Sequence, residues 1–431
     1  MTIKLNLRSI SLPAFIDIFC LVFLVSFNVL WMRPFLSLSG NIGGVVAPVI
    51  PILSRAAAFF LPISEYRAAF FLVFIGQLLG VITFYFFLKE LTARRLPGLM
   101  VGYFYSLPVK FLALDRLRHA WIEGDGAHVM AVGLFPLVCY FLLTFLKKGG
   151  MFFGLLASMS VAVVGLISPF ALFNLVLFLL VIAFSELILG QAKFKLLRFL
   201  FVVSLAWGMA AFWYTPGFVY KILSAGQGRL VVSLLWRLVP ISFFAVPIIF
   251  VFGYLIFESR EGLQPIALTL GFFTIYLFVN LVEFLSYSDF RDFLLIPHRF
   301  LPEFGLCLSL LLGVAATIFL DALGSLSAIG KIILPAEPGG NVQTVRGVAP
   351  KRGVSLLFLI FIWMVGMILV SVTVPTQEVV EEINALQVPL KLPLSLDYSR
   401  TVMDQCFGLL VSAASWMFVF FLVMKMRAKW I

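Results

Sequence analysis

The chain has 431 residues, 62% of them hydrophobic and 12% charged, with a mean hydropathy of +1.12 and a formal net charge of +11. Soluble domains hold about 45–50% apolar and about 25% charged residues, and disordered chains are poorer still in apolar ones, so both classes are excluded. The composition describes an all-α, polytopic transmembrane helical bundle. Its 31 Lys and Arg are spread along the whole chain, which suits loops lying on anionic lipid headgroups and gives no reason to expect nucleic acid as a partner. The cysteines Cys20, Cys139, Cys307 and Cys406 are far apart and form no CxxC or Cys/His cluster, so neither a disulfide framework nor a zinc site is expected.

A spanning helix needs about 20 mostly apolar residues. In chain order the runs are 12–31, 68–88, 97–112, 127–146, 151–167, 170–189, 197–214, 239–257, 265–286, 304–323, 354–374 and 406–424. They predict about 12 spans, within a range of roughly 10–13. The first run follows Lys4 and Arg8. It is too long for a signal-peptide core and lacks a small-x-small cleavage site, so it reads as an uncleaved signal anchor. The Lys/Arg bias of the connecting segments places the N-terminus in the cytoplasm, and the chain is expected to be multi-pass in the cell (cytoplasmic) membrane. Carboxylates gather on the outer side.

The first outer segment, 32–67, holds an apolar piece, Val45–Leu53 with Pro48 and Pro51, that is expected to lie in the interface or re-enter. The stretch 324–353 is rich in Gly and Pro and reads as a flexible cytoplasmic linker within a single membrane domain, 1–431. No repeat is visible at a 20–50-residue period, nor a match between halves.

Two outer segments carry the polar chemistry. In the first, Asp115-Arg116-Leu117-Arg118-His119-Ala120-Trp121-Ile122-Glu123-Gly124-Asp125-Gly126 leads straight into an apolar run. Glu123 and Asp125, interleaved with glycines, can share a divalent cation through hard oxygen ligands, or one can act as a base that the other orients. His128 follows within the first turn of the next helix. The same residues also suit a polar turn capping that helix. In the second segment, Pro297-His298-Arg299-Phe300-Leu301-Pro302-Glu303 sets Arg299 between two prolines at the mouth of a span. An Arg fork there suits a phosphate or carboxylate, and it also suits headgroup anchoring.

Within the runs, Asp17, Glu186 and Glu283 stand close enough to an end to reach an interface, and Asn28, Gln77, Asn174 and Asn280 read as interhelical hydrogen-bonding groups. The motifs GxxxxGK[ST], GxSxG and HExxH are missing.

Tyr85–Leu91, Val101–Pro108, Glu123–Gly126 with Gly133–Leu137, Ala211–Pro216 and Pro297–Phe300, on this pattern of spans, resemble the GT-C superfamily of membrane glycosyltransferases. Within it they are similar to bacterial and archaeal membrane proteins related to 6-pyruvoyl-tetrahydropterin synthase and to the YfhO-like group. The resemblance implies a GT-C-like topology and transfer of a sugar from a polyprenyl-phosphate-linked donor to an acceptor on the outer face. It implies Asp125 as base or ligand of a divalent cation (Mg or Mn), with Glu123 assisting. Arg299 and His298 would hold the donor phosphate, with Arg291 as a further candidate. Such enzymes carry another acid in the first outer loop. Here 32–67 has no Asp and only Glu65, which leaves Glu65 or Asp115 to substitute, or the transfer chemistry lost. The alternative is a lipid-linked glycan flippase or other polytopic transporter that uses the same arginines without a base.

Overall fold

The computed structural model describes residues 12–33, 47–109, 111–121, 125–224, 264–286, 300–333 and 401–427. The expected spans 239–257 and 354–374 lie outside the described residues. Among the described residues the ordered elements are helices: α1 (Leu12–Met32), α2 (Val49–Phe60), α3 (Glu65–Thr92), α4 (Arg95–Ser106), α5 (Ala113–Trp121), α6 (Gly126–Gly133), α7 (Phe135–Lys148), α8 (Met151–Ile167), α9 (Pro169–Ile188), α10 (Ala192–Ala210), α11 (Pro216–Ser224), α12 (Gln264–Ser286), α13 (Leu301–Ile333) and α14 (Val402–Arg427). Among the described residues six stretches are long and apolar enough to cross a membrane: Ala14–Met32, Arg67–Thr92, Gly126–Lys148, Pro169–Ile188, Leu301–Phe319 and Val402–Met426. In hydrocarbon every backbone N–H and C=O must be satisfied internally, and a helix does this within one segment. The chain is a multi-pass membrane protein.

Local chemistry sets the helix ends. Ser64 caps α3 by accepting the Arg67 N–H at 3.2 Å, and Ser168 caps α9 by accepting that of Ala171 at 3.3 Å. With Pro169 as the first residue of α9, the chain reverses from α8 with almost no loop. The expected run 97–112 is shorter than its apolar length: α4 stops at Ser106, because Pro108 drives Leu107 into extended backbone (φ −67°, ψ 121°). The expected run 127–146 is bent between α6 and α7 at Leu134, just before Pro136. Residues 49–53 of the apolar piece expected in the interface open α2, whose Phe59 and Phe60 project outward. Helix α13 runs into the stretch 324–353, the remainder of which is outside the described residues.

Short connections make α3/α4, α7/α8, α8/α9 and α9/α10 antiparallel neighbours, and polar contacts show which ends meet. At one end Asp17 of α1 accepts from the Tyr85 hydroxyl, from Lys89 Nζ at 2.6 Å and from Arg95 Nε at 2.8 Å. Lys148 of α7 pairs with Glu90 at 2.8 Å. Buried Glu186 of α9 accepts from Lys195 at 2.9 Å and from Gln264. Asp17 and Glu186, expected to reach an interface, are both tied into ion pairs there.

Between the ends the packing is apolar and close. Gly80 of α3 lies so near the α6 end that a Cβ there would sit 2.7 Å from the Gly133 carbonyl oxygen, and one on Gly133 would sit 2.7 Å from that of Gly76. Small residues at such crossings let backbones touch, which is how helices gain packing energy in lipid. Helix α14 packs on α10, where the Ser412 hydroxyl accepts the Phe212 N–H at 2.8 Å; much of its remaining surface is exposed and apolar.

Candidate functional site

The end opposite the Asp17 network is built by α5 and the first turns of α6, α9 and α13. Helix α5 starts from a constrained turn. Phe111 adopts a left-handed backbone (φ 68°), which costs a bulky residue about 1–3 kcal/mol. Its N–H donates to Asp115 Oδ2 at 2.6 Å, and its ring meets Phe304 edge-on at 5.9 Å. Arg116 and His119, three residues apart on α5, face the same side, and each is only 2% exposed.

Asp125 precedes α6 and stands at the lip. Its backbone N–H donates to the His119 carbonyl at 3.3 Å, and its Oδ2 lies 3.6 Å from His119 Nε2. The carboxylate is 31% exposed and the imidazole 3%, so the pair straddles the boundary between solvent-facing and buried space. One turn further in, His128 Nε2 lies 2.9 Å from Glu303 Oε1, and Asn174 Nδ2 donates to the same oxygen at 2.8 Å. All three residues are buried. The His119 and His128 rings are 6.3 Å apart, and Phe170 packs on His128 while stacking on Phe300. A row of ionisable groups thus runs from Asp125 inward to Glu303, drawn from α5, the start of α6 and α13, with Asn174 of α9 bonded to its inner end.

Arg116 has a different surrounding. Its guanidinium lies over the Tyr105 ring, 3.4 Å from the centroid, and Nη2 donates to the Tyr105 carbonyl. Nε and Nη1 are buried and have no hydrogen-bond partner among the described residues. Burial pulls the pKa of this group down from its ordinary value, because a charge is poorly solvated there.

Of the residues the sequence singles out, Asp125 stands at the lip beside His119, and Asp115 is engaged by the Phe111 turn. Glu123, Arg291, His298 and Arg299 lie outside the described residues. No group of three or more His, Cys, Asp and Glu among the described residues is arranged to hold a metal ion. Asp125 is the one described member of the expected cation pair.

Sequence reading missed the centre of the cluster. Asn174 is read there as interhelical glue, and it does bridge two helices, but its partner is the carboxylate of Glu303. Arg116 stands in the polar segment the sequence singles out but is given no role there; its signal was the i, i+3 spacing with His119 on a short helix.

No family model, curated protein or solved structure matches this chain. Its chemistry must be read from the cluster itself. A part-exposed carboxylate backed by a histidine suits proton abstraction, since it can meet a substrate while its charge is held in place.

Proposed function

We propose that the protein transfers a sugar from a polyprenyl-phosphate-linked donor to an acceptor hydroxyl at the outer face of the cell membrane. The observation that carries this reading is Asp125, a carboxylate 31% exposed at the lip and 3.6 Å from a buried imidazole. The orientation rests on the opposite end: Lys89, Arg95, Lys147, Lys148 and Lys195 gather there with the start of α1, and Lys and Arg favour the cytoplasmic side. The N-terminus is then cytoplasmic and the Asp125 end outside. The GT-C-like arrangement of about 12 spans is part of the same proposal.

In this reading Asp125 takes the acceptor's hydroxyl proton, and the oxygen attacks the anomeric carbon. The carbon–oxygen bond to phosphate breaks, and polyprenyl phosphate leaves with the electron pair. His119 steadies the Asp125 carboxylate. Arg299, His298 and Arg291 are the proposed holders of the donor phosphate, and a divalent cation between Glu123 and Asp125 is a separate part of the proposal.

The test offers purified protein a panel of polyprenyl-phosphate sugars, with and without Mg or Mn. Turnover that falls at least about 100-fold in Asp125→Asn, the scale of a lost general base, supports the reading. Turnover unchanged in that variant refutes the role of Asp125. Donor binding without turnover in the wild type moves the assignment to a carrier of lipid-linked glycans.

A further inference from the structure

We propose that Arg116 is an oxyanion-binding residue and that its ligand is a phosphate-type group entering between α5 and the first turns of α13. Two independent observations converge on it. The guanidinium is 2% exposed, and among the described residues no carboxylate pairs with it; its Nε and Nη1 donors have no partner. Helix α13 comes close to the Arg116 side chain near its amino end. A Cβ on Gly305, the fifth residue of that helix, would lie 3.7 Å from Arg116 Cδ. The amide N–H groups of a first helical turn also favour anions.

The one acid in that turn is Glu303, and its oxygens are engaged by His128 and Asn174. A buried cation left without a counter-charge is strongly disfavoured, and buried polar groups in folded proteins almost always find partners. An anion is the partner that satisfies both the charge and the two idle donors. The Tyr105 ring fixes the guanidinium plane from one side, which leaves the group orientated before a ligand arrives.

The proposal deepens the transfer reading, since a lipid-linked donor brings such a phosphate, and it rests on that reading only for the source of the anion. The experiment is thermal unfolding of the full chain in detergent, titrated with inorganic phosphate, with a polyprenyl monophosphate, and with chloride as control. Protection by both phosphates assigns a general oxyanion site, and protection by the lipid alone assigns a lipid headgroup. In Arg116→Gln the half-saturating concentration is expected to rise at least about tenfold, the scale of a lost charge-assisted hydrogen bond. In Arg116→Lys, which keeps the charge and loses the fork, a smaller rise is expected.

Absence of protection in the wild type overturns the proposal, and so does equal protection of Arg116→Gln. Should Arg116→Gln fail to fold, the wild-type titration and Arg116→Lys decide alone. The two readings fail separately. Protection that depends on Arg116 in a protein that transfers no sugar removes the enzyme and keeps the site. Sugar transfer without phosphate protection removes the site and keeps the enzyme.

Discussion

Glu303→Leu puts the cluster to its most direct test. The carboxylate is 3% exposed and holds two partners on other helices, His128 and Asn174. Leu keeps roughly the volume and removes both acceptors, leaving two buried groups unsatisfied. Each such group costs about 1–3 kcal/mol, whereas interhelical hydrogen bonds in membrane proteins average about 0.6 kcal/mol. Removing a desolvated carboxylate also returns part of the loss. The expected net destabilisation is about 2–4 kcal/mol. Removing His128 as well, in Glu303→Leu with His128→Leu, takes away one of the two orphaned groups. The double variant should therefore be more stable than Glu303→Leu alone, by about 1–2 kcal/mol. Reversible unfolding in mixed micelles measures all four corners of the cycle. Losses below about 0.5 kcal/mol that simply add would refute the reasoning, because independent residues show no such coupling.

At the other end, Asp17→Asn should lower stability by about 1–2 kcal/mol in the same assay, since the carboxylate is only 19% exposed and three donors converge on it. Arg95→Ala should cost less than about 1 kcal/mol, because the arginine side chain is 37% exposed and Lys89 remains. Gly80→Val should be severe. Its Cβ would meet the Gly133 carbonyl at 2.7 Å and the Tyr105 ring at 3.0 Å, which forces α3 and α6 apart and costs about 1–3 kcal/mol or more. Yield and melting temperature in detergent check it; an unchanged melting temperature would mean that this crossing is looser than described.

The long apolar runs were readable because lipid imposes one simple demand, backbone satisfaction over about 20 residues. The runs 12–31, 170–189 and 406–424 correspond within a few residues to α1, α9 and α14. What proved unreadable has a common cause: it depends on partners remote in the chain or on a buried face that is polar. Helix α5 buries Arg116 and His119 along with Leu114, Leu117 and Ala120, so a helix enclosed on nearly every side carries charges that read as a loop. Asp17 and Glu186 look like groups reaching for headgroups because nothing local reveals Lys89 or Gln264 opposite them. The site was legible in part. The place of Asp125 just before α6, three residues ahead of His128, follows from the sequence, whereas the meeting of His128 with Glu303 belongs to the tertiary fold.

The sequence separation of these contacts also sets an order of assembly during synthesis. Asp17 meets Lys89 and Arg95 after 72 and 78 residues, so the first clamp can close while the chain is still short. His128 must wait 175 residues for Glu303, and Asn174 must wait 129. At about 5–20 residues per second, His128 spends roughly 9–35 s without its carboxylate. During that interval the ribosome is still delivering the helices that complete this end of the bundle. The apolar scaffold can therefore be seated in the bilayer before its polar cluster exists. A fault in inserting α13 would leave a protein that is present, anchored and spanning, with the end that holds its buried polar cluster never closed.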